Sequence, residues 1–369
     1  MDNFAAIILA AGFSSRMGLY KPLLPLGNAL VLEKSLSTFL TAGIKNVYVV
    51  VGHNAHLLKP VVERMGAQWI ENTNFAQGMY SSVQAGVKNL PREIKAFFML
   101  PADIPLVQAE TIKKLMDMYV QSPAEVIFPV HDNRKGHPPL IATQLRAEIL
   151  QPEPLGGLKT ILNKAKNKKL LHVDDEGVLK DLDREEHYRR MLPPAAAGYP
   201  TRSECEQILA AHNVLPQVIL HMEQVNKLAQ MMALYLNSCG YRLHLALLQA
   251  ACLLHDIAKG QKNHAEKGGQ LLANLGYKEV ASLVATHMNL PAAHEELDEA
   301  VLLFLADKMV EGTEIVSLAQ KKRKKHAFFA GNAAAQQAVE SRLQKALFWQ
   351  QKIEQVIGKP ILEIAGESK

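Results

Sequence analysis

Up to about residue 190 the sequence alternates between two hydrophobic periods. Short apolar runs, FAAIILA, NVYVVV, AFFMLPAD and EVIFPV, are separated by longer amphipathic stretches such as ALVLEKSLSTFLTAG and TIKKLMDMYVQ. A continuous run of apolar and β-branched residues suits a strand buried on both faces, and such strands need helices above and below a parallel sheet. MLPPAAAGYPT, residues 191–201, continues neither period and reads as a linker. Beyond it only helical periodicity remains, in QVILHMEQVNKLAQMMALYL and LHLALLQAACLLHDIAK. The expected organisation is an α/β domain over 1–192 with a mostly parallel sheet and helices on both faces, a linker over 193–201, and an all-α domain over 202–369. The last sixty or so residues of the second domain are expected to be a helical extension without chemistry of its own.

A chain of 369 residues fits two domains. Its net charge of +5 is spread over the whole length and selects neither nucleic acid nor an anionic membrane as partner. Cys205, Cys239 and Cys252 are odd in number and lack CxxC spacing, which argues against a disulfide framework and for a reducing compartment. The start MDNFAAIILAAG has no basic n-region and its apolar run is too short to span a bilayer. A soluble cytoplasmic protein is expected.

Ligands of open α/β sheets bind outside the carboxyl ends of the strands, where LAAGFSSRMGLYKPLLPLG follows the first run. The loop is not a Walker loop, since five residues separate Gly12 from Gly18 and leucine follows, and GxGxxG is absent too. Gly12 nonetheless lets backbone approach a phosphate, while Arg16 and Lys21 offer a guanidinium fork and a point charge. An ordinary glycine-containing βα turn with two solvated cations accounts for the loop equally well. Asp103, in LPADIPLV, stands past another buried strand, where a carboxylate can hold Mg²⁺ or merely cap a helix. Asp181 and Asp183 in DLDREEHYRR alternate, as if on one face of a short strand. Gly78, Ser81 and Ser82 in NTNFAQGMYSSVQAG open a helix whose amides and hydroxyls can read a base or simply cap.

These stretches, with KGHPPLI, resemble in their order the MobA-like nucleotidyltransferases, most closely the molybdenum cofactor cytidylyltransferases, over residues 4–190. The resemblance implies a Rossmann-like nucleotidyltransferase domain that moves a nucleoside monophosphate from an NTP, CTP by likeness, to a phosphate-bearing acceptor such as molybdopterin, releasing pyrophosphate. It implies that Leu9, Ala10, Ala11 and Gly12 hold the nucleotide by their backbone, and that Gly78, Ser81 and Ser82 close around the base. Arg16 and Lys21 would grip the phosphates, and Asp103 with Asp183 would bind Mg²⁺. His137 and Pro138 would lie near the acceptor, although a turn before a strand explains them as well. The family's GDxGAR-like segment is LGGLKTIL here, so a sugar phosphate remains open as acceptor.

In the helical half, His221 precedes the pair His255-Asp256 in AACLLHDIAKG, and Asp307 follows in LLFLADKMVEG. A buried Asp is costly unless a cation or hydrogen bonds compensate it. Two imidazoles and two carboxylates suit a divalent transition metal. The pattern resembles the HD superfamily of metal-dependent phosphohydrolases over about 215–312, which implies His221, His255, Asp256 and Asp307 as ligands. Binuclear branches add two histidines, for which His264 and His287 are placed, so one or two metals are expected; surface or capping roles for these two stay open. Such a metal lowers the pKa of bound water and polarises a phosphoryl oxygen. Lys259, one turn past His255, reads by default as solvent-facing, and KKRKKH at 321–326 as a solvated helix face. His212, His244 and His294 match no motif.

The combined expectation is a bifunctional enzyme, a Mg²⁺-dependent nucleotidyltransferase joined to an HD phosphohydrolase, with an NTP and a small phosphate-bearing acceptor as partners. A molybdoenzyme partner or a second copy of the chain is compatible with it. The competing expectation is a sugar-phosphate nucleotidyltransferase whose HD part is a non-catalytic metal-binding sensor or oligomerisation module.

Overall fold

The computed structural model describes residues 3–13, 19–192, 198–291 and 293–366. Contacts divide it into two compact units, Met1–Met191 and Leu192–Lys369.

In the first unit the strands are β1 (Phe4–Ala10), the short pair β2 (Pro25–Leu26) and β3 (Ala29–Leu30), β4 (Asn46–Val51), β5 (Gln68–Glu71), β6 (Ala96–Pro101), β7 (Val126–His131), β8 (Arg134–Lys135), β9 (Leu140–Ala142) and β10 (Lys168–His172). Its helices are α1 (Val31–Thr41), α2 (Ala55–Arg64), α3 (Met79–Lys88), α4 (Ala109–Gln121), α5 (Arg146–Ile149), α6 (Gly157–Lys164) and α7 (Glu185–Met191). The main sheet runs β10-β7-β9-β6-β1-β4-β5. β1 pairs parallel with both β4 and β6, whereas β9 lies antiparallel to β6 and β7. β8 forms a hairpin with β7 across Asp132 and Asn133, both at positive φ.

Because side chains alternate along a strand, β1 feeds two cores. Ala5 and Ile7 join Tyr48, Val50 and Phe97 beneath α3, α5 and α6. On the other face α1 packs on β1 and against α4, and Phe39 of α1 meets Phe98 of β6 with ring centroids 5.7 Å apart. Gly86 explains how closely α3 settles, since a Cβ there would lie 2.6 Å from Ile7 Cγ2. The expected strand-rich half with helices on both faces is thus present. β5 and β10, which the sequence reading passed over, are edge strands with several exposed residues and so lack the buried apolar signature.

The chain returns to the sheet's ligand-binding end through residues 175–183. Asp175 is 2 % exposed; its Oδ2 accepts from Gln108 N (2.9 Å) and Thr111 Oγ1 (2.7 Å), and its Oδ1 from Gly177 N (3.0 Å). Gly177 sits so tightly that a Cβ would lie 2.1 Å from Leu106 O. Leu182 N then donates to Asp103 O at 2.9 Å, which brings Asp183 beside Asp103. After a 3-10 turn over Glu176–Leu179, residues 180–183 are irregular, not the short strand expected for Asp181 and Asp183. Asp181 accordingly turns to His187 (3.2 Å) while Asp183 turns to Lys21.

The second unit comprises α8 (Arg202–Ala211), α9 (Pro216–Ser238), α10 (Leu245–Leu254), α11 (His264–Asn274), α12 (Lys278–Thr286), α13 (Glu299–Met309), the two-residue strands β11 (Val310–Glu311) and β12 (Glu314–Ile315), α14 (Leu318–Phe328), α15 (Ala333–Ile357) and α16 (Ile361–Gly366). It is helical apart from the β11–β12 hairpin, which turns at Gly312. Nine of the ten residues of α10 are buried, as its apolar composition requires. Tyr199, within the stretch expected as linker, is fully buried and its ring lies 5.2 Å from that of His244. Thr201 caps α8 in a reciprocal capping box with Glu204. No helix among the described residues is long and apolar enough to cross a membrane.

Asp175→Ala removes three hydrogen bonds from a buried site. It should destabilise the N-terminal unit by about 3 kcal/mol in chemical denaturation. A loss below about 0.5 kcal/mol would mean that the carboxylate does not hold the 175–183 return in place.

Candidate functional sites

The strand order reverses beside β1, since β4 follows on one side and β6 on the other. A cleft of about 490 Å³ opens there, at the carboxyl ends of β1 and β6. Leu9, Ala10, Ala11 and Gly12 line one wall, Gly78 and Ser82 another, and Lys21, Asp103 and Asp183 meet inside it. Lys21 Nζ lies 3.1 Å from Asp103 Oδ2 and 3.4 Å from Asp183 Oδ1, with the lysine side chain 10 % exposed. An amine between two carboxylates marks one point on which both acids converge. Two such carboxylates, completed by phosphate oxygens and water, suit Mg²⁺. Arg16 lies outside the described residues.

Ser81 and Ser82 are placed differently. Asn72, 5 % exposed, donates through Nδ2 to both hydroxyl oxygens at 2.9 Å, and its Oδ1 accepts from Asn74 N. Ser81 Oγ also bonds Gly78 O at 2.8 Å, so it braces the loop, whereas Ser82 borders the cleft. Gly78 takes φ 105° at the start of α3, a conformation that side chains disfavour. Phe13 and Phe75 also line the cleft, with ring centroids 5.4 Å apart. They offer aromatic faces to a base, although isolated phenylalanines in AAGF and NTNF carried no such signal. Asn72 was also missed; the NTN triplet was its one trace.

A neighbouring cleft of about 500 Å³ is lined by His137, Phe128, Tyr80 and the Gly156-Gly157-Leu158 turn. The LGGLKTIL segment therefore does face a cavity beside the first. Burial pushes the His137 imidazole below its ordinary value despite Asp103 and Asp181 nearby.

In the second unit His255 and Asp256 are not within a helix, as expected, but in the turn directly after α10 ends at Leu254. Lys259 N donates to Asp256 O at 2.8 Å in that turn, and Lys259 Nζ lies 2.7 Å from Asp256 Oδ2. His221 comes from α9, His264 begins α11, His287 follows α12 and Asp307 lies near the end of α13. Asp256, 1 % exposed, touches two groups of histidines. Its Oδ2 is 3.6 Å from His255 Nε2 and 3.9 Å from His221 Nε2. Its Oδ1 is 3.2 Å from His264 Nε2 and 3.7 Å from His287 Nε2. Asp307 Oδ1 lies 3.3 Å from His221 Nε2 and 3.7 Å from His255 Nε2.

The imidazoles are oriented by backbone. Nδ1 of His255, His287 and His221 faces the carbonyls of Cys252 (2.8 Å), Val284 (2.7 Å) and Gly312 (3.0 Å). An Nδ1–H donating outward leaves Nε2 with its lone pair turned inward, the tautomer a metal requires. Nε2 of His255, His264 and His287 and Oδ1 of Asp256 are buried and make no hydrogen bond. Four orphaned acceptor atoms around one space fit a cation far better than a protein partner. Burial and His255 depress His287 to about 3. Burial alone would raise Asp307, yet Lys308 and the two histidines beside it hold its carboxyl well below the usual range. These directions favour the neutral imidazole at His287 and the ionised carboxyl at Asp307, the forms that bind metal, whereas at His255 burial is outweighed by Asp307 and Asp256, which raise its imidazole.

A cleft of about 420 Å³ adjoins this cluster, with His221, Asp256 and Asp307 in its wall. Lys259, Lys308, Lys321, Lys325 and Arg342 surround it. The basic run at 321–326 is therefore not uniformly solvated. Lys321 donates to the Asp307 and Val310 carbonyls, both at 2.8 Å, and burial lowers its ammonium to about 8. Among the histidines expected to take no part, His244 caps α10 and His294 pairs with Asp298.

Residues 6–170 match the model of the MobA-like NTP transferase domain, and residues 218–311 that of the HD domain. Molybdenum cofactor cytidylyltransferase of Escherichia coli K12 is 27 % identical over 151 residues, covering 41 % of this chain and 76 % of that protein. Bifunctional protein GlmU of Gloeobacter violaceus is 32 % identical over 119 residues, 32 % of this chain but only 26 % of its own length. Among solved structures, a nucleotidyl transferase from Methanothermobacter has a TM-score of 0.46 at 20 % identity, covering 52 % of this chain and 96 % of that one. Rv0371c from Mycobacterium tuberculosis H37Rv has a TM-score of 0.45 at 22 % identity, covering 52 % and 97 %.

Asn72→Ala leaves Ser82 and the Asn74 amide without their partner. It should cost the N-terminal unit about 2 kcal/mol, several times the loss for exposed Asn89→Ala, in urea titrations. Equal losses would remove Asn72 from the framework of the cleft.

Proposed function

Starting from a chain that joins a MobA-like NTP transferase domain to an HD domain, we propose that the first unit transfers CMP from CTP to the phosphate of a molybdopterin acceptor, and that the second hydrolyses a phosphoester. The observation that carries the first half is the meeting of Lys21, Asp103 and Asp183 beside the Leu9–Gly12 wall. The likeness to a protein named molybdenum cofactor cytidylyltransferase supports both the base and the acceptor.

In this reading an acceptor phosphate oxygen attacks the α-phosphorus in line. A new P–O bond forms as the bond to pyrophosphate breaks, and the charge grows on the leaving group. Lys21 sits where it can neutralise that charge, and its nearly complete burial strengthens the effect. Asp103 and Asp183 would hold Mg²⁺, which supplies further charge neutralisation between nucleotide phosphates when bound. The backbone at Leu9–Gly12 fixes the nucleotide, and the Phe13 and Phe75 rings border the base. The neighbouring cleft, with His137 and the Gly156-Gly157 turn, is where the acceptor would lie. Transfer then depends chiefly on positioning two anions that repel each other.

The second half rests on the inward-facing Nε2 atoms of His255, His264 and His287. His221, His255, Asp256 and Asp307 would hold one divalent transition metal, and His264 with His287 a second that shares Asp256. A metal held there would supply a bound water of lowered pKa for attack on phosphorus. The protein's own share is to hold the imidazoles of His221, His255 and His287 by backbone carbonyls at Nδ1 so that Nε2 faces the site.

Pyrophosphate release measured with CTP, GTP and UTP against molybdopterin and sugar 1-phosphates should be fastest for CTP with molybdopterin. Preference for a sugar 1-phosphate would replace the acceptor. Lys21→Ala should lower kcat by about 10² or more. A kcat within about threefold of wild type would take Lys21 out of the reaction. For the second unit, Asp256→Ala should abolish all Mn²⁺ binding in calorimetry, whereas His264→Ala should remove one ion and retain the other. Retention of both ions in His264→Ala would reduce the site to a single metal without His264.

A further inference from the structure

The HD match ends at residue 311, yet the cleft beside the histidines does not. Helices α14 and α15 lie beyond the matched segment, and from them come Lys321, Lys325 and Arg342 on its rim. Lys321 and Lys325 are four residues apart and so share a face of α14. Their neighbours Lys322 and Lys324 do not line the cleft and are paired, with Glu340 and with the cleft-lining Glu311, both at 2.7 Å. The run KKRKKH is thus divided into a face satisfied by carboxylates and a face turned to the cleft.

Cations on that second face outnumber the carboxylates, since Glu311, which also lines the cleft, is already held by Lys324 at 2.7 Å. Of the five cations around the cleft, Lys259 and Lys308 are held by Asp256 (2.7 Å) and Asp307 (2.6 Å). Lys321, Lys325 and Arg342 have no carboxylate partner among the described residues. Arg342 is anchored by its Nε, which donates to Asn289 Oδ1 at 2.9 Å, and both Nη groups remain for an anion. Phe329, Val339 and Leu343 give the same cleft an apolar side. Its volume of about 420 Å³ is that of a site for a small molecule of nucleotide size.

We propose that α14 and α15 complete the HD cleft as a phosphate-binding rim, which selects a nucleotide carrying two or more phosphates, with Lys325 and Arg342 holding those that are not cleaved. This rests on the hydrolase reading of the second unit. A single phosphate over His221 and Asp307 leaves Lys321, Lys325 and Arg342 without an ion-pair partner, whereas a further phosphate pairs with the Arg342 fork and the Lys325 ammonium. The apolar side then faces the base. In the reaction the oxygen of water bonds to the phosphorus beside the histidines, the P–O bond to the leaving group breaks, and the proton from water passes to the leaving oxygen or to solvent.

The test uses the full chain carrying Lys21→Ala, which removes a phosphate contact in the N-terminal cleft. Hydrolysis of nucleoside mono-, di- and triphosphates is measured with Mn²⁺ for this protein and for versions with Lys325→Gln, Arg342→Gln or Lys322→Ala added. Lys325→Gln and Arg342→Gln should each lower kcat/KM for the di- and triphosphates at least tenfold more than for the monophosphate, mainly through KM. Lys322→Ala, whose partner is Glu340, should leave the ratio between substrates as it was. Equal losses on all three substrates, or the same shift in Lys322→Ala, would overturn the proposal. Calorimetry with inorganic tripolyphosphate separates this from failure of the hydrolase reading. Binding that weakens at least tenfold in Lys325→Gln and Arg342→Gln supports the rim even without turnover. Unaltered binding overturns it.

Discussion

A carboxylate that is 1 % exposed cannot remain charged without partners, and Asp256 is such a group. Around it the second unit is arranged. Four elements deliver imidazoles to its two oxygens, with Oδ2 facing His221 and His255 and Oδ1 facing His264 and His287. Lys259 supplies a positive charge from the same turn. A histidine held by a carbonyl at Nδ1 presents Nε2, so the geometry of the cluster follows from where α10, α12 and the β11–β12 turn expose the Cys252, Val284 and Gly312 carbonyls. Burying the pair in the turn after α10, and not within it, frees the Cys252 carbonyl to orient His255.

The first unit meets the same constraint by another route. A lysine at 8 % exposure is tolerable because two carboxylates surround it. Those carboxylates are eighty residues apart in sequence, and a single backbone hydrogen bond, Leu182 N to Asp103 O, sets them side by side. Asp175 and Gly177 matter because they fix the path that makes this bond available. Stability and chemistry meet at this return: its hydrogen bonds are structural, while the acids that it positions are not required by the core.

Strands buried on both faces announced themselves, since FAAIILA and AFFMLPAD have no polar residue to place before their ends, and so did the change to helical periodicity after residue 200. β5 and β10 did not, because an edge strand with exposed side chains has no distinctive period. Lys21, Asp103 and His255-Asp256 were legible as charged residues interrupting apolar surroundings. Asn72 and Lys325 were not, since an Asn in a loop and a Lys in a basic run look alike whether they face solvent or a cavity. Which of six consecutive basic residues points inward depends on how α14 is rotated against α13 and α15, a matter of packing that local pattern does not encode.

That rotation bears on how an HD domain acquires selectivity. The residues between 218 and 311 supply the whole histidine and aspartate cluster, and in the proposed hydrolysis that cluster would contact only the phosphoryl group that is cleaved. Discrimination must come from groups that contact the remainder of the molecule, because only differential contacts separate one phosphoester from another. The C-terminal helices are the elements that bring such groups to the cleft. A helix added beyond a domain can change its cationic face without disturbing the buried ligands, since Lys325 and Arg342 touch none of the histidines that hold Asp256 in place. In the proposed function, selectivity and reactivity would thereby belong to separate elements, one packed around a buried charge and the other lining the adjoining cleft.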